Sequence, residues 1–533
     1  MAGSSASSSM IALAGGRAAI APRDFQQLLF GLGLATAMQF YTFDSVNLIL
    51  PDMAGAFGAT RDEASWILIS YSAGLLFGTP LSSYLARRLG VRYYIIGSVL
   101  VFLAASICSS LSANIGEMIV FRGIEGFAGG TLNFWWRGSL YIFLSGPARS
   151  AAMMRISVML YLATAAGLLV SGFLVDHLTW RYIWVTDFVL AAVALVLLLR
   201  HYPREALEPE RESAPIDVLG VILLGIFLIC MQLVFSRGPI DDWFGSSLLA
   251  TLAWAAVIAL TLFVFRTLSP ANSNPFLRLP MVTDRNVFAA VLIGTCTGMI
   301  LAGAIYALPE YLRGVDPQRY SASQTGEILC IYAIAGACLR PLVTKAVGRF
   351  GQRKVLVFAL VSLIASMLLM ARLLTLGTPA FYYALPLILY AMCLAPLLSA
   401  VASGTTGRVP GHEQIDAVSI YMTFRQFGTA MGVALVNVVI TERETFHSNI
   451  VFAHLQQGRP LLHDWLNAIS AKLIGRGGQS AIDARAAAVQ TLHRLAEQQA
   501  SVLAFADAFR VMALIGLIVL ALVPLVAPAA KKP

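Results

Sequence analysis

Fourteen predominantly apolar stretches, separated by short polar or charged breaks, run along almost the whole chain. They cover residues 28–50, 64–85, 94–113, 116–141, 152–175, 182–200, 217–236, 246–266, 286–308, 322–346, 354–374, 380–402, 415–441 and 506–528. Each is long enough to cross the hydrocarbon core of a bilayer as a helix, which satisfies its own backbone polar groups. The pattern predicts an all-α integral membrane protein with about fourteen transmembrane helices. An even number of crossings brings both ends of the chain to one side.

Two of the stretches are weak copies of one another. Thr60, Glu63, Tyr71, Pro80, Arg88, Gly90 and Arg92 align with Ser321, Gln324, Tyr332, Pro341, Arg349, Gly351 and Arg353 at a constant offset of 261. Each copy opens on a capping box, Thr60-Arg-Asp-Glu63 or Ser321-Ala-Ser-Gln324, and ends in a basic turn, ARRLGVR or VGRFGQR. The copies fall in the second and tenth stretches, so the spans divide as six, two and six. That division gives a six-helix bundle over 24–200, a linker with two inserted helices over 201–284, and a second six-helix bundle over 285–533. Two bundles related by a pseudo-two-fold repeat are the architecture of secondary transporters built from parallel repeats. Residues 1–23 are small and low in complexity, without a basic n-region, and are expected to be a disordered cytoplasmic tail rather than a signal peptide. Residues 443–505 form a polar loop of mixed charge, expected to be helical in part, which reads either as a solvated cap or as a docking surface.

Composition leaves little room for a soluble reading. With 58% hydrophobic and 12% charged residues, and a mean hydropathy of +0.76, most helices need lipid or other apolar helices around them. A net charge of +9 on a soluble domain would point to nucleic acid. Here the charges are parcelled between apolar runs, so the expected partner is the lipid bilayer and not nucleic acid. One set of short loops holds Arg87, Arg88, Arg92, Arg149, Arg155, Arg200, Lys345, Arg349, Arg353 and Lys354, while the other holds few basic residues. By the positive-inside rule the basic turns and both termini are cytoplasmic, 443–505 is external, and the location is the plasma or bacterial inner membrane. The six cysteines all lie in apolar stretches without metal-ligand spacing and read as small buried hydrophobes.

Several segments resemble a known family. FDSVNLILPDMAGAFGATRDEASWI, FRGIEGFAGG, TWRYIWVTDF and FRQFGTAMGVALVNVVITER are similar to helices of the major facilitator superfamily, in its fourteen-span drug:proton antiporter group. The inserted pair, IDVLGVILLGIFLICMQLVFSRGPIDDWFGSS, is the most discriminating, because twelve-span relatives lack it. The resemblance implies multidrug efflux driven by protons, with the fourth-helix arginine, Arg122, taking part in coupling. Relatives in this group sometimes work with a periplasmic adaptor protein, so such a partner is open here. The chain also departs from the pattern. Arg87 stands where many relatives have Asp, so the resemblance implies a conformational latch resting on Arg88, Gly90 and Arg92, with Arg349, Gly351 and Arg353 in the second copy. Gly167-Leu168 replaces the antiporter Gly-Pro, and Glu125 replaces the usual Gln.

Ionisable groups inside the spans are the best guide to chemistry, since each costs about 2.5–3.5 kcal/mol at mid-helix and survives mainly beside a cavity or a partner. Asp44 lies deep in the first helix with no basic residue near it in that helix, which suits a proton or substrate site; otherwise it is a structural carboxylate capping polar neighbours such as Asn47 or closing the extracytoplasmic side. Arg122 and Glu125 lie three apart and can pair on one face, as a proton switch or as a permanent buried ion pair. Arg137 either attracts an anionic part of a substrate or snorkels to the headgroups. Asp187 is expected to bond nearby backbone. Phe40, Tyr41, Trp135, Trp136, Tyr161, Tyr306, Tyr332 and Arg425 are the further candidates for a cavity wall, and aromatic walls suit a small amphipathic organic substrate.

The combined expectation is a proton-coupled transporter that exports amphipathic organic compounds by alternating access, with the proton gradient as its energy source and no cofactor. No Gly-x-x-x-x-Gly-Lys-Ser/Thr loop is present for ATP, and the seven histidines form no metal site or nucleophile constellation, so an enzyme is not expected. Two alternatives are an importer of an organic anion or siderophore-like solute, and a membrane sensor that binds without transporting.

Overall fold

The computed structural model describes residues 11–12, 19–20, 22–144, 146–203, 217–270, 272, 275, 277, 279–406, 414–454, 460–477 and 480–525. They form fifteen helices: α1 (Pro22–Phe57), α2 (Arg61–Leu89), α3 (Val91–Leu111), α4 (Ile115–Phe143), α5 (Gly146–His177), α6 (Tyr182–His201), α7 (Val218–Arg237), α8 (Ser247–Leu268), α9 (Arg285–Glu310), α10 (Ala322–Phe350), α11 (Gln352–Leu373), α12 (Ala384–Thr406), α13 (Gln414–His454), α14 (Pro460–Gly477) and α15 (Ala481–Leu522). Fourteen of them coincide with the apolar stretches, and α14 is the exception. Among the described residues, eleven helices are long and apolar enough to cross a membrane by length and composition alone. Large apolar side chains such as Trp254, Phe265, Phe358 and Leu514 face outward, as a lipid-facing surface requires.

Residues 1–10, 13–18 and 21 lie outside the described residues, as do 204–216 of the linker. Within the tail, Ile11–Ala12 pairs antiparallel with Ala19–Ile20, and Pro22 and Arg23 already belong to α1. Proline suits that first turn, where its missing N–H has no partner to lose.

The duplicated hairpin is built from the same local chemistry in both halves. In α2 the Glu63 amide donates to Thr60 Oγ1 (3.2 Å) and the Thr60 amide to Glu63 Oε2 (2.8 Å). In α10 the Gln324 amide donates to Ser321 Oγ (3.3 Å) and the Ser321 amide to Gln324 Oε1 (3.0 Å). Each helix carries an internal proline, Pro80 or Pro341, and stops at a glycine with positive φ: 83° at Gly90 and 81° at Gly351. A side chain would strain the backbone there, so glycine fixes the sharp reversal into α3 and α11.

The starts of α1, α9 and α13 lie at one face with the basic turns, here the basic face; the opposite side is the distal face. α13 has 41 residues and α15 has 42, about 60 Å each, roughly twice the hydrocarbon thickness. The polar loop is therefore largely the continuation of two membrane helices beyond the distal face, with α14 packed on α15. At the root of this extension Asp507 accepts from Arg443 Nε (2.5 Å) and Arg510 Nη1 (2.5 Å) and pairs with His447 Nε2 (2.9 Å).

The two bundles meet along α5 with α10 and α2 with α13. Near the distal face α5 and α10 approach so closely that a Cβ on Gly326 would lie 2.3 Å from the Leu168 carbonyl oxygen, and one on Gly172 would lie 2.7 Å from that of Ala322. Polar contacts join the bundles at both faces. On the distal side Arg313 Nη1 and Nη2 donate to Asp52 (2.7 and 3.1 Å), and Asp176 accepts from Ser321 Oγ (2.8 Å) and the Ser323 amide (2.9 Å). On the basic side Arg87 donates to Asp416 (2.7 Å) and Ser83 pairs with Ser419 (3.2 Å). The inserted helix α7 lies over the α2/α13 seam, where Leu224 and Leu228 pack with Leu76, Leu81, Phe263 and Ile420, and the Phe227 and Phe427 rings are 5.9 Å apart.

Candidate substrate cavity and buried charge cluster

A cavity of about 170 Å³ lies on the seam between the bundles, walled by α1, α2, α4, α5, α9, α10, α12 and α13. Its two polar walls differ in character. On one, α1 presents Gln39, Phe40, Phe43 and Asp44, positions that helical spacing gathers on a single face. Asp44 is 6% exposed, with Thr164 of α5 beside it and Tyr332 and Tyr390 within electrostatic reach. Those two tyrosine rings meet edge-on, 5.5 Å apart.

On the other wall stand Asn133, Trp136 and Arg137 from α4, Tyr161 from α5 and Arg425 from α13. Arg137 donates through Nη1 to the Asn133 carbonyl (3.0 Å) and to Asn133 Oδ1 (3.1 Å), and its guanidinium lies 4.1 Å from the centre of the Trp136 ring. It does not snorkel to the headgroups, since Asn133 and Trp136 hold it inside the cavity wall. Arg425 makes no side-chain hydrogen bond among the described residues, and its buried Nε has no acceptor.

Of the sequence-derived cavity residues, Phe40, Trp136, Arg137, Tyr161, Tyr332 and Arg425 line this space. Three others do not. Trp135 turns to α2 and donates to the Ser82 carbonyl (3.1 Å), Tyr41 pairs with Thr186 of α6 (2.5 Å), and Tyr306, next in sequence to the cavity-lining Ile305, is half-buried against the hydrophobic core. Successive residues on a helix point about 100° apart, and the rotation of α4 turns Trp136 and Arg137 to the cavity and Trp135 to α2. Gln39, Asn133, Tyr390 and Gln426 line the cavity without having been singled out. Asn133 had a legible signal: it lies four residues before Arg137, on the same helical face.

Arg122 and Glu125 stand apart from the cavity, in a second polar group sealed inside the first bundle. Both are 0% exposed, and Arg122 Nη1 donates to Glu125 Oε2 (2.9 Å). Arg122 also lies over the Tyr71 ring at 4.0 Å, and Trp184 Nε1 reaches Glu125 Oε2 at 3.4 Å. Among the described residues Asp187 bonds a side chain and no backbone group. Its Oδ2 accepts from Ser106 Oγ (3.1 Å), whose oxygen is also 3.5 Å from Glu125 Oε1, and Thr42 faces it from α1. One arginine and two carboxyl groups thus share a fully buried site formed by α1, α2, α3, α4 and α6. Arg122 Nε and Nη2 and Asp187 Oδ1 are buried there without partners among the described residues.

At the basic face the ion pair joining the bundles is made by Arg87 with Asp416. The residues assigned to a latch are placed differently. Arg92 donates to the Leu199 carbonyl of α6 in its own bundle (2.6 Å), Arg88 Nη2 is buried without a partner among the described residues, Arg349 lies over its neighbour Phe350, and Arg353 is exposed. Gly90 and Gly351 form the turns already described.

Comparison with known proteins agrees with this architecture. Residues 32–433 match the Major Facilitator Superfamily profile. The chain is 24% identical over 440 residues to the multidrug export protein EmrB of Haemophilus influenzae, covering 81% of this chain and 84% of that protein. It is 25% identical over 443 residues to the probable multidrug resistance protein EmrY of Escherichia coli K12, covering 81% and 83%. Among solved structures, a POT family transporter in complex with 5-aminolevulinic acid superposes with a TM-score of 0.63 at 13% identity, over 95% of this chain and 96% of that one. With two bundles meeting at a central cavity and a family match over most of its length, the chain belongs to the major facilitator superfamily and is similar to its multidrug export permeases.

Proposed function

We propose that this protein is a proton-coupled secondary transporter of the plasma membrane that exports amphipathic organic compounds by alternating access, with its basic face and both termini cytoplasmic. The observation that carries this reading is the cavity itself. It lies on the seam between two bundles, has aromatic walls and ionisable side chains, and is flanked at each face by polar contacts that can break and re-form. The names of the relatives, multidrug export and multidrug resistance proteins, support the direction and substrate range.

The driving proton is assigned to the Arg122–Glu125–Asp187 group. One cation cannot balance two buried carboxylates at low dielectric, so the site is neutral overall when one of the two acids holds a proton. Ser106 touches both acids and can follow the proton between them. Asp44 is the second proton-exchanging group, placed in the cavity where substrate entry changes its surroundings. A potential of 100 mV contributes about 2.3 kcal/mol per charge moved, roughly a fiftyfold gradient. The helical extension at the distal face is the natural seat for a periplasmic adaptor.

Inside-out proteoliposomes with an acid lumen test the reading. They should accumulate an amphipathic dye while protons leave the lumen. Dye movement indifferent to the pH gradient, or movement in the same direction as the protons, would overturn it.

A further inference from the structure

The Arg137 wall of the cavity has donors and too few acceptors. Two guanidinium groups, Arg137 and Arg425, stand on it, and the groups that act on Arg137 from nearby are the like charge of Arg425, the Tyr421 hydroxyl and the like charge of Arg340. No carboxylate is among them. Three further donor atoms are buried at the same wall without an acceptor among the described residues: Trp136 Nε1, Tyr161 Oη and Arg425 Nε. An indole N–H and a guanidinium N–H can only donate. Unpaired donors in an enclosed apolar space are costly, and like charges held together there more so. What this wall lacks is an oxyanion.

From this geometry we infer that the substrate class is the amphipathic organic anion, whose carboxylate or sulfonate seats between Arg137 and Arg425 and accepts from Trp136 Nε1 and Tyr161 Oη. The apolar body lies against Phe40, Phe43 and Ile305, toward Asp44. The inference rests on the reading of this cavity as the substrate site and narrows what it carries. Asp44 belongs to the other wall, so its negative charge disfavours a second acidic group on the substrate and favours a donor at that end. An anion moving out while a proton moves in carries charge in the same electrical sense on both legs. Transport of this class is therefore electrogenic.

Three probes on one alkyl-naphthalene skeleton test the class: a sulfonate, a neutral sulfonamide and a trimethylammonium. Fixed charges prevent pH from altering the ligands. Equilibrium dialysis against the purified full-length chain, without any gradient, should find the sulfonate bound about tenfold more tightly than the sulfonamide, with the ammonium weakest. Arg425→Gln and Arg137→Gln should each abolish most of that preference, weakening sulfonate binding far more than sulfonamide binding. Arg425→Lys should restore part of it, and Asp44→Asn should tighten sulfonate binding. Equal binding of the three probes, preference for the ammonium, absence of binding by all three, or a preference that survives both Gln variants would overturn the inference. Dialysis reads the class and vesicle flux reads the export, so a sulfonate that binds selectively but is not driven by the gradient refutes the export reading alone.

Discussion

Asp52 and Arg313 occupy equivalent positions in the two repeats, 261 residues apart, and pair with each other across the seam at 2.7 and 3.1 Å. The pseudo-two-fold axis therefore passes close to this contact, and opposite charges have been placed at what were matching sites. Arg313 also donates to the Leu48 carbonyl (2.6 Å), which ties α1 to the turn that ends α9. Asp52→Asn should weaken the closed distal face by about 1 kcal/mol, a shift of about fivefold in the open population, since the pair is partly solvated. Labelling of a cysteine introduced at Tyr390 by a membrane-impermeant reagent from the distal side reads this change. The charge-swapped double variant, Asp52→Arg with Arg313→Asp, should return labelling to the parent level, and failure to do so removes the pair from the gate.

The sealed group predicts an asymmetric response to substitution. Asp187→Asn or Glu125→Gln leaves one cation facing one carboxylate, a balanced site that needs no proton. Either variant should fold, bind substrate and exchange it, yet lose most of its proton-driven accumulation, measured with a pH-sensitive dye in the vesicle lumen. Arg122→Ala is expected to be far worse, because it strands two buried acids; a cost of about 3–5 kcal/mol should appear as loss of monodisperse protein in detergent. If Asp187→Asn retains full coupling, the proton is held elsewhere.

Asp44 should behave differently from the sealed acids. Asp44→Asn keeps the size and hydrogen-bonding capacity of the side chain while removing its charge from the cavity. The pH dependence of substrate binding should flatten, whereas the parent protein's should not. Binding curves for the fixed-charge sulfonate collected across a pH series would show it, and identical profiles for parent and variant would assign Asp44 a structural role.

The root of the distal extension provides a stability prediction. Asp507 joins Arg443, His447 and Arg510, and Ser501 donates to Glu444 nearby, so α13 and α15 are locked together where they leave the bilayer. Asp507→Asn should lower the local opening free energy by about 2 kcal/mol and raise tryptic cleavage in the extension by more than tenfold. Unchanged cleavage would mean that packing along the two helices, not the charge cluster, holds the extension.

Local chemistry made much of the fold legible. Capping boxes, an internal proline and a glycine turn are written within thirty-odd residues, so the duplicated hairpin could be located from Thr60, Gly90, Ser321 and Gly351 alone. The cavity was harder, because side-chain direction depends on how each helix is rotated in its bundle. Trp135 and Trp136 are adjacent in sequence, but one faces Ser82 and the other the cavity. Least legible was Asp187, whose partners Ser106 and Glu125 come from two other helices and carry no periodic signature. The reach of Arg87 to Asp416 was hidden for the same reason: an ion pair 329 residues apart leaves no trace in spacing.

Along α13 lie Asp416 and Ser419 at the basic-face contact, Arg425 in the cavity wall, and Arg443 and His447 at the root of the extension. Because these places share one uninterrupted rod of backbone hydrogen bonds, whatever grips the protruding end has leverage on the passage and on its far door at once. A partner clasping that mast would need no contact with the cargo to govern when it leaves.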